Sequence, residues 1–148
     1  MNFSLSMVSI DFIHNGGYHA ETVQRYRYSL KGEINLKNEA IRAGLGKRGE
    51  NSIVLHPAYG PWLRFTAIKT TAPLEFAVTS ELAETDNPVC QDCHVCLNVC
   101  PTGVLEPYRM NDPLHCLSNI TAQDAAGYSI LCDKCIIQCP TRALKNRE

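Results

Sequence analysis

The sequence predicts an α+β protein in which a small mixed N-terminal region with a β-hairpin, residues 1–86, precedes a cysteine-rich region, residues 87–148. Two observations predict this division. The first part contains helical and extended patterns but no cysteine, whereas all eight cysteines lie between Cys90 and Cys139. A chain of 148 residues has room for one compact unit or for two small units that share an interface.

The bulk composition is that of an ordinary globular protein, with 45% apolar and 20% charged residues. The formal net charge of −1 creates no strong field, so a nucleic-acid partner is not expected. No apolar run approaches the roughly 20 residues that span a bilayer. The first twelve residues lack a positive segment and include Asp11, so we expect no secretory signal and a cytoplasmic location.

Two helices are predicted in the N-terminal region. Residues 19–30 place apolar side chains at helical spacing, which favours a short amphipathic helix. A second helix is predicted to begin after Asn35, a residue type that caps helices, and to end at Ala43, before Gly44.

The same region is predicted to contain the hairpin. Residues 52–55 are partly β-branched, residues 57–61 have turn composition, and residues 62–70 alternate apolar with polar side chains. We therefore expect the stretches on either side of the turn to pair. Residues 79–86 are acidic and are expected to form a connecting loop or a short helix.

In the cysteine-rich region, cysteines and prolines dictate the structure more than periodicity does. Short helical turns are expected at residues 94–99, 122–126 and 133–138. This region also contains one internal repeat, which consists of two cysteine motifs.

The first motif is Cys90-x2-Cys93-x2-Cys96-x3-Cys100-Pro101. This is the bacterial ferredoxin spacing for [4Fe–4S] clusters, in which the fourth cysteine ligates the other cluster. Three thiolates spaced along a tight loop can converge on one cubane, while the next cysteine points away. The proline then fixes φ and removes a backbone donor just after that turn.

The second motif is an incomplete copy, Cys132-x2-Cys135-x3-Cys139, also followed by proline. A full repeat would place a cysteine where Ser129 stands, and the isolated Cys116 supplies the missing thiolate. The copies together predict two clusters in a dicluster ferredoxin-like domain, with one ligand exchanged between them. The first cluster is assigned Cys90, Cys93, Cys96 and Cys139, and the second Cys100, Cys116, Cys132 and Cys135.

Alternatives to this assignment remain at the level of sequence. Each motif could keep its own fourth cysteine, zinc could occupy CxxC pairs, or the thiols could form disulfides or stay free. Three cysteines within seven residues favour a cubane over zinc, and His94 is interpreted as a loop residue because the thiolates already suffice. Two adjacent cubanes predict transfer of single electrons, at potentials tuned by burial and hydrogen bonds.

Three glycines, Gly44, Gly46 and Gly49, match the dinucleotide-binding fingerprint by letter. That fingerprint needs a strand before it and a helix after it, and here the predicted order is reversed. We therefore reject nucleotide binding and expect these glycines to allow tight turns beside a cofactor or a partner surface.

Several stretches together resemble the epoxyqueuosine reductase and reductive dehalogenase family. They are residues 43–46 and 49–52 around the glycines, residues 56–65 with Tyr-Gly-Pro-Trp, and the two cysteine motifs. The family consists of corrinoid-dependent reductases whose dicluster region feeds electrons to cobalt. The resemblance covers about residues 40–142 and implies a corrinoid as a further cofactor. It also implies that the loop containing Gly44, Gly46 and Gly49, the glycine loop, lies beside that corrinoid or beside a partner protein.

The N-terminal region is shorter than in that family, so the resemblance implies its electron-transfer part. The predicted function is electron transfer through two [4Fe–4S] clusters to a corrinoid, a corrinoid protein or a partner reductase. The alternatives are a minimal corrinoid-dependent reductase acting on its own substrate, and a protein whose clusters are structural.

A basic stretch interleaved with glutamates is interpreted as a solvated helical face. A docking surface for an acidic redox partner and a tRNA-binding surface are the alternatives. Its basic residues are Arg25, Arg27, Lys31, Lys37, Arg42, Lys47 and Arg48.

Overall fold

The computed structural model describes residues 5–23, 33–75, 87–125 and 127–141. Its described residues form a mixed α and β structure of short helices and two-stranded sheets. The helices are α1 Leu5–Asn15, α2 Leu36–Arg42, α3 Val95–Asn98, α4 Pro113–Ser118 and α5 Lys134–Ile137. The strands are β1 Ala20–Thr22, β2 Lys47–Arg48, β3 Val54–Leu55, β4 Ile68–Thr70, β5 Leu105–Glu106, β6 Arg109–Met110, β7 Ile120–Gln123 and β8 Ser129–Leu131. None of these helices is long and apolar enough to cross a membrane.

The prediction of α2 is confirmed at both ends. Asn35 has an extended backbone, and its side chain accepts hydrogen bonds from the N–H groups of Lys37 and Asn38, as an N-cap should. Ala43 is the C-cap, and Gly44 follows with a φ of 72°, a conformation that glycine adopts without steric cost.

The predicted helix at residues 19–30 is wrong at its start. Ala20 pairs with Thr70 in the antiparallel ladder between β1 and β4, because the ladder and the nearby His14 ring supply partners for its backbone. The rest of that prediction, residues 24–32, falls outside the described residues. Helix α1 was not predicted, although it contains apolar residues at helical spacing.

The predicted hairpin is also wrong in its pairing. The turn is present and closes through a bridge between His56 and Gly60, but β3 pairs backward with β2, and β4 pairs with β1. The backward pairing depends on close backbone approach, because a Cβ on Gly46 would lie 2.4 Å from the carbonyl oxygen of Leu55. A side-chain pattern does not reveal such a contact.

Two small cores meet at β3, whose neighbouring residues point to opposite faces. Val54 packs with Ala40 and Ile41 of α2, and Phe65 covers this group. The next residue, Leu55, packs with Cys90, Cys139 and Tyr108 in the cysteine-rich region. Strand β3 therefore joins the N-terminal region to the cysteine motifs.

Within the cysteine-rich region, the helical turns at residues 94–99 and 133–138 are confirmed by α3 and α5. The turn predicted at residues 122–126 is wrong, because Ala122 pairs with Ile130 in the β7–β8 hairpin. Helix α4 was not predicted. It begins after Asp112, whose side-chain oxygen accepts a hydrogen bond from the N–H of His115. Pro113 is the first residue of the helix.

Candidate metal centre

The two cysteine motifs are brought together by their short helices, since α3 packs against α5. Cys96 lies in α3 and Cys135 in α5, so the packing places a thiol from each motif near the same interface. Helix α4 adds Cys116 from the segment between the motifs. All eight thiols are free in the structure, so no disulfide joins them.

A first cavity encloses four of these thiols. It has about 310 Å³ of empty space, part of it open to solvent. The thiols are those of Cys90, Cys93, Cys96 and Cys139. Three belong to the first motif and one to the second, so the cavity joins the two copies of the repeat.

A second cavity of the same size encloses the other four thiols, those of Cys100, Cys116, Cys132 and Cys135. Pro101, Thr102, Leu105, Met110 and Asn119 complete its wall. Here one cysteine of the first motif meets two of the second motif and the isolated cysteine. This sorting of thiols is the one that the swapped assignment requires, and it differs from the grouping in which each motif keeps its own fourth cysteine.

The spread of the thiols bears on the kind of metal. Among the described residues, no three His, Cys, Asp or Glu side chains converge closely enough to hold one metal ion. Zinc needs such convergence, because its four ligands meet at a single ion. A cubane instead places a separate iron in front of each thiolate, so its four ligands stand further apart than those of a single zinc ion.

Burial strongly favours the neutral thiols when no cluster is bound. Desolvation, reinforced by the nearby Glu50 carboxylate and neighbouring thiols, raises the pKa of Cys96 to about 12. Desolvation and the surrounding thiols likewise raise the pKa of Cys135 to about 11. The pKa values of Cys90 and Cys116 are also raised, chiefly by burial. A cationic iron core would reverse this preference, so loading the cavities must release protons.

Cys100 is the exception among these thiols. Partial burial would raise its pKa, but hydrogen bonds from Thr102, Gly103 and Val104 outweigh burial and lower the pKa. The Thr102 hydroxyl lies 3.5 Å from the Cys100 sulfur. The repeat reproduces this contact in the first cavity, where the hydroxyl of Thr141 lies 3.0 Å from the sulfur of Cys139.

Sequence reasoning missed Glu50, a buried acid that lines the first cavity beside the thiols. Its carboxylate accepts a hydrogen bond from Nδ1 of His94, at 2.9 Å. His94 lines neither cavity and is held in the loop by this contact, as its interpretation as a loop residue expected. Glu50 directly follows Gly49, within residues 49–52 that contributed to the family resemblance. Its place in that stretch was the sequence feature that could have identified it as a site residue.

The glycine loop contacts the cysteine region through its last residues. Gly44, Gly46 and Gly49 line neither cavity. Gly44 belongs to the turn after α2, and Gly46 and Gly49 lie close to Leu55. The backbone carbonyl of Glu50 accepts a hydrogen bond from the Tyr108 N–H, at 3.2 Å. The loop therefore supports the first cavity, and its assignment to a corrinoid or a partner stays a prediction.

The predicted basic stretch is only partly described. Arg25, Arg27 and Lys31 lie outside the described residues. Among its other members, Arg42 pairs with Glu39 at 2.8 Å. Arg48 bonds to the side chain of Asn38. These contacts agree with a solvated face and do not test a docking role.

Comparison with known proteins gives one consistent result. Epoxyqueuosine reductase of Listeria monocytogenes is 32% identical over 122 residues, which cover 74% of this chain and 30% of that protein. The enzyme of Gloeobacter violaceus is 31% identical over 126 residues, covering 76% and 37%. This chain belongs to the epoxyqueuosine reductase family. The predicted resemblance is thus confirmed, and the chain spans about a third of the length of its curated relatives.

Solved structures of epoxyqueuosine reductases share the fold. The enzyme of Bacillus subtilis matches with a TM-score of 0.63 at 25% identity, over 91% of this chain and 36% of that one. The enzyme of Streptococcus thermophilus matches with a TM-score of 0.54 at 25% identity, over 84% and 34%. No protein-family model matches the chain. The likeness to the epoxyqueuosine reductase fold extends over both the N-terminal region and the cysteine motifs.

Proposed function

We propose that this chain binds two [4Fe–4S] clusters and passes single electrons in a corrinoid-dependent reduction of the epoxyqueuosine reductase type. The observation that carries the proposal is the sorting of eight free thiols into two cavities of four. One cluster would be held by Cys90, Cys93, Cys96 and Cys139, and the other by Cys100, Cys116, Cys132 and Cys135.

The residues around the thiols suit this cofactor. Leu55 and Val89 line the first cavity, and Leu105 and Met110 line the second, which limits water around each cluster. Backbone N–H groups and threonine hydroxyls near the sulfurs supply hydrogen bonds that stabilise negative charge. When bound, the clusters would supply one-electron chemistry, while this chain would fix their separation and their exposure.

A corrinoid is the second cofactor of the proposal. Each cavity would be filled by its cluster, so a corrinoid would bind outside both. Tyr59, in the turn between His56 and Gly60, and Trp62, two residues after that turn, are exposed aromatic side chains that the ring of a corrinoid could contact. The family suggests this cofactor, and the two exposed side chains provide a surface on which its binding can be tested.

The family membership favours a role within a reductase over a free-standing electron carrier, since the similar proteins are epoxyqueuosine reductases. The chain spans about a third of their length, and this part would supply the two clusters. Electron transfer to a separate redox protein is the second candidate. It is favoured by the thiols of the second cavity, which are all partly exposed.

The cluster proposal is tested by reconstitution without oxygen. We expect about eight iron and eight sulfide per chain, with broad visible absorbance that bleaches on reduction. Four or fewer irons, or stoichiometric zinc in protein isolated without oxygen, would refute two cubanes. A parallel sample that receives the same iron and sulfide but no reductant is the control for non-specifically bound iron.

The corrinoid proposal is tested on the cluster-loaded chain. Cobalamin is added in steps, and the cobalt absorbance is followed before and after reduction of the clusters. Stoichiometric binding, cobalt reduction and turnover of epoxyqueuosine would support the reductase. Full cluster loading without any cobalamin binding would leave electron transfer to another protein as the function. A Tyr59→Ala, Trp62→Ala variant tests the exposed surface, with Phe12→Ala on α1 as an exposed aromatic control.

A further inference from the structure

The two cavities are built from repeated motifs, yet their surroundings differ. The repeat gives each cavity a cysteine followed two residues later by a threonine whose hydroxyl lies near the sulfur. Such shared contacts act on both clusters in the same sense. Differences in reduction potential must therefore come from groups that are present at only one cavity.

Burial is the first difference. Cys90, Cys96 and Cys139 of the first cavity are each no more than 9% exposed. The fourth cysteine of the first cavity, Cys93, is partly exposed, whereas in the second cavity all four cysteine residues are partly exposed. Reduction adds a negative charge to a cluster, and a dry site stabilises that charge less than a site near water. Burial thus lowers the potential expected for the first cavity.

A fixed negative charge is the second difference. The Glu50 side chain is only 5% exposed and lines the first cavity beside Cys90, Cys93 and Cys96. Its carboxylate is held by Nδ1–H of His94, with distances of 2.9 and 3.0 Å to the two oxygens. Among the described residues that line the second cavity, none is charged.

A positively charged side chain, Lys37, acts on the second cavity. Lys37, in the first turn of α2, lies outside the wall of the second cavity, but the electrostatic influence of its ammonium reaches Cys116 and Cys135. Lys37 is an exposed residue, but protein atoms crowd its ammonium, and this desolvation together with Arg48 lowers its pKa. A nearby cation stabilises the added electron, which raises the potential expected for the second cavity.

We infer that Glu50 gives the cluster in the first cavity the lower reduction potential, so that the first electron settles in the second cavity. The inference rests on the proposed function, because it requires both clusters. A one-electron donor such as titanium(III) citrate, oxidised to titanium(IV), would reduce the second cluster from the 2+ to the 1+ state. A second donor equivalent would then reduce the first cluster in the same way.

The test is a redox titration of the cluster-loaded chain at one fixed pH, followed by electron paramagnetic resonance. The wild-type chain should show two separate one-electron steps. Glu50→Gln keeps the size and the acceptor for His94 but removes the charge, so it should raise the lower potential and leave the upper one in place. Glu39→Gln, on the outer face of α2, removes the same charge away from the cavities and should shift neither step.

Two further variants assign the steps and do not depend on Glu50. Lys37→Gln should lower the upper potential, whereas Lys47→Gln, an exposed lysine of β2, should not. A Cys116→Ala, Cys132→Ala double variant removes two ligands of the second cavity. Its remaining cluster should titrate at the lower wild-type potential.

The outcomes separate this inference from the proposed function. A chain that binds no iron refutes the proposed function itself. Eight bound irons with two coincident potentials refute only the inference, as does a double variant whose remaining cluster titrates at the upper potential. An unchanged lower potential in a fully loaded Glu50→Gln variant refutes the role of Glu50.

Discussion

The side-chain amide of Asn51 donates a hydrogen bond of 3.2 Å to the backbone carbonyl of Cys135, which lies 84 residues further along the chain. The Asn51 side-chain oxygen accepts from the N–H of Ile53 at 3.2 Å, so both ends of the amide are used. Asn51 is 1% exposed and also lines the first cavity. One side chain thus connects the loop before β3 with helix α5, which presents a thiol to the second cavity.

Replacing Asn51 with alanine should destabilise the folded chain by about 1–3 kcal/mol, because the part-buried Cys135 carbonyl loses its donor. The measurement is urea unfolding of the cluster-loaded protein without oxygen. Asn98→Ala, at an exposed position at the end of α3, is the control and should change the stability by less than about 0.5 kcal/mol. Equal effects of the two variants would contradict a structural role for the Asn51 contact.

Gly60 is expected to be intolerant of a side chain for two separable reasons. Its φ of 56° disfavours any residue with a Cβ, and that Cβ would lie 2.8 Å from the carbonyl oxygen of Thr141. Gly103 has a similar φ of 65° but nothing within 4 Å of its Cβ position. Gly103→Ala should therefore cost about 1–2 kcal/mol from the backbone alone, and Gly60→Ala clearly more.

The comparison of these two glycines is made by thermal unfolding of the loaded protein. The difference between the variants measures the contact between the turn and Thr141, because the backbone penalty is common to both. If Gly103→Ala proves as destabilising as Gly60→Ala, the turn does not depend on that contact.

Pairs of cysteine replacements distinguish the swapped ligand assignment from its alternative. Cys90 and Cys139 share the first cavity, so a double alanine variant should lose one cluster and keep about four irons. Cys90 and Cys100 lie in different cavities, so their double variant should damage both clusters. If each motif kept its own fourth cysteine, iron analysis of the two double variants would give the reverse result.

Thiol reactivity of the cluster-free chain should depend on pH in an order set by the pKa shifts. The thiolate is the nucleophile, so a lowered pKa raises the reactive fraction at a given pH, and a raised pKa reduces it. Cys100 should be alkylated by iodoacetamide at the lowest pH. Cys96 and Cys135, with pKa values of about 12 and about 11, should remain largely protected until the solution is strongly alkaline.

Peptide mass analysis after brief alkylation between neutral and alkaline pH would measure this order. Denatured protein is the control, because unfolding removes burial and hydrogen bonds and should make the three thiols react alike. Early labelling of Cys96 in the folded chain would contradict the burial seen in the structure.

The elements that were predicted correctly are those whose signals are local. Asn35 and Gly44 delimit α2 because capping depends on residues within one helical turn. The turns around Cys96 and Cys135 follow from the tight spacing within each motif. The pairing of β3 was mispredicted because nothing local indicated that Gly46 would bring β2 against Leu55.

The amino-acid sequence alone predicted two sites of four cysteines each, because ligand type and spacing are local properties of the chain, and it identified the family. The tertiary structure decided which thiols share a cavity, and it brought Glu50 and Lys37 toward different cavities. Those placements depend on long-range packing of β3 and the loop before it against the cysteine motifs. Electrostatic interactions depend on distance in space, so residues far apart in the sequence acquire their effect on a cluster only when the chain folds.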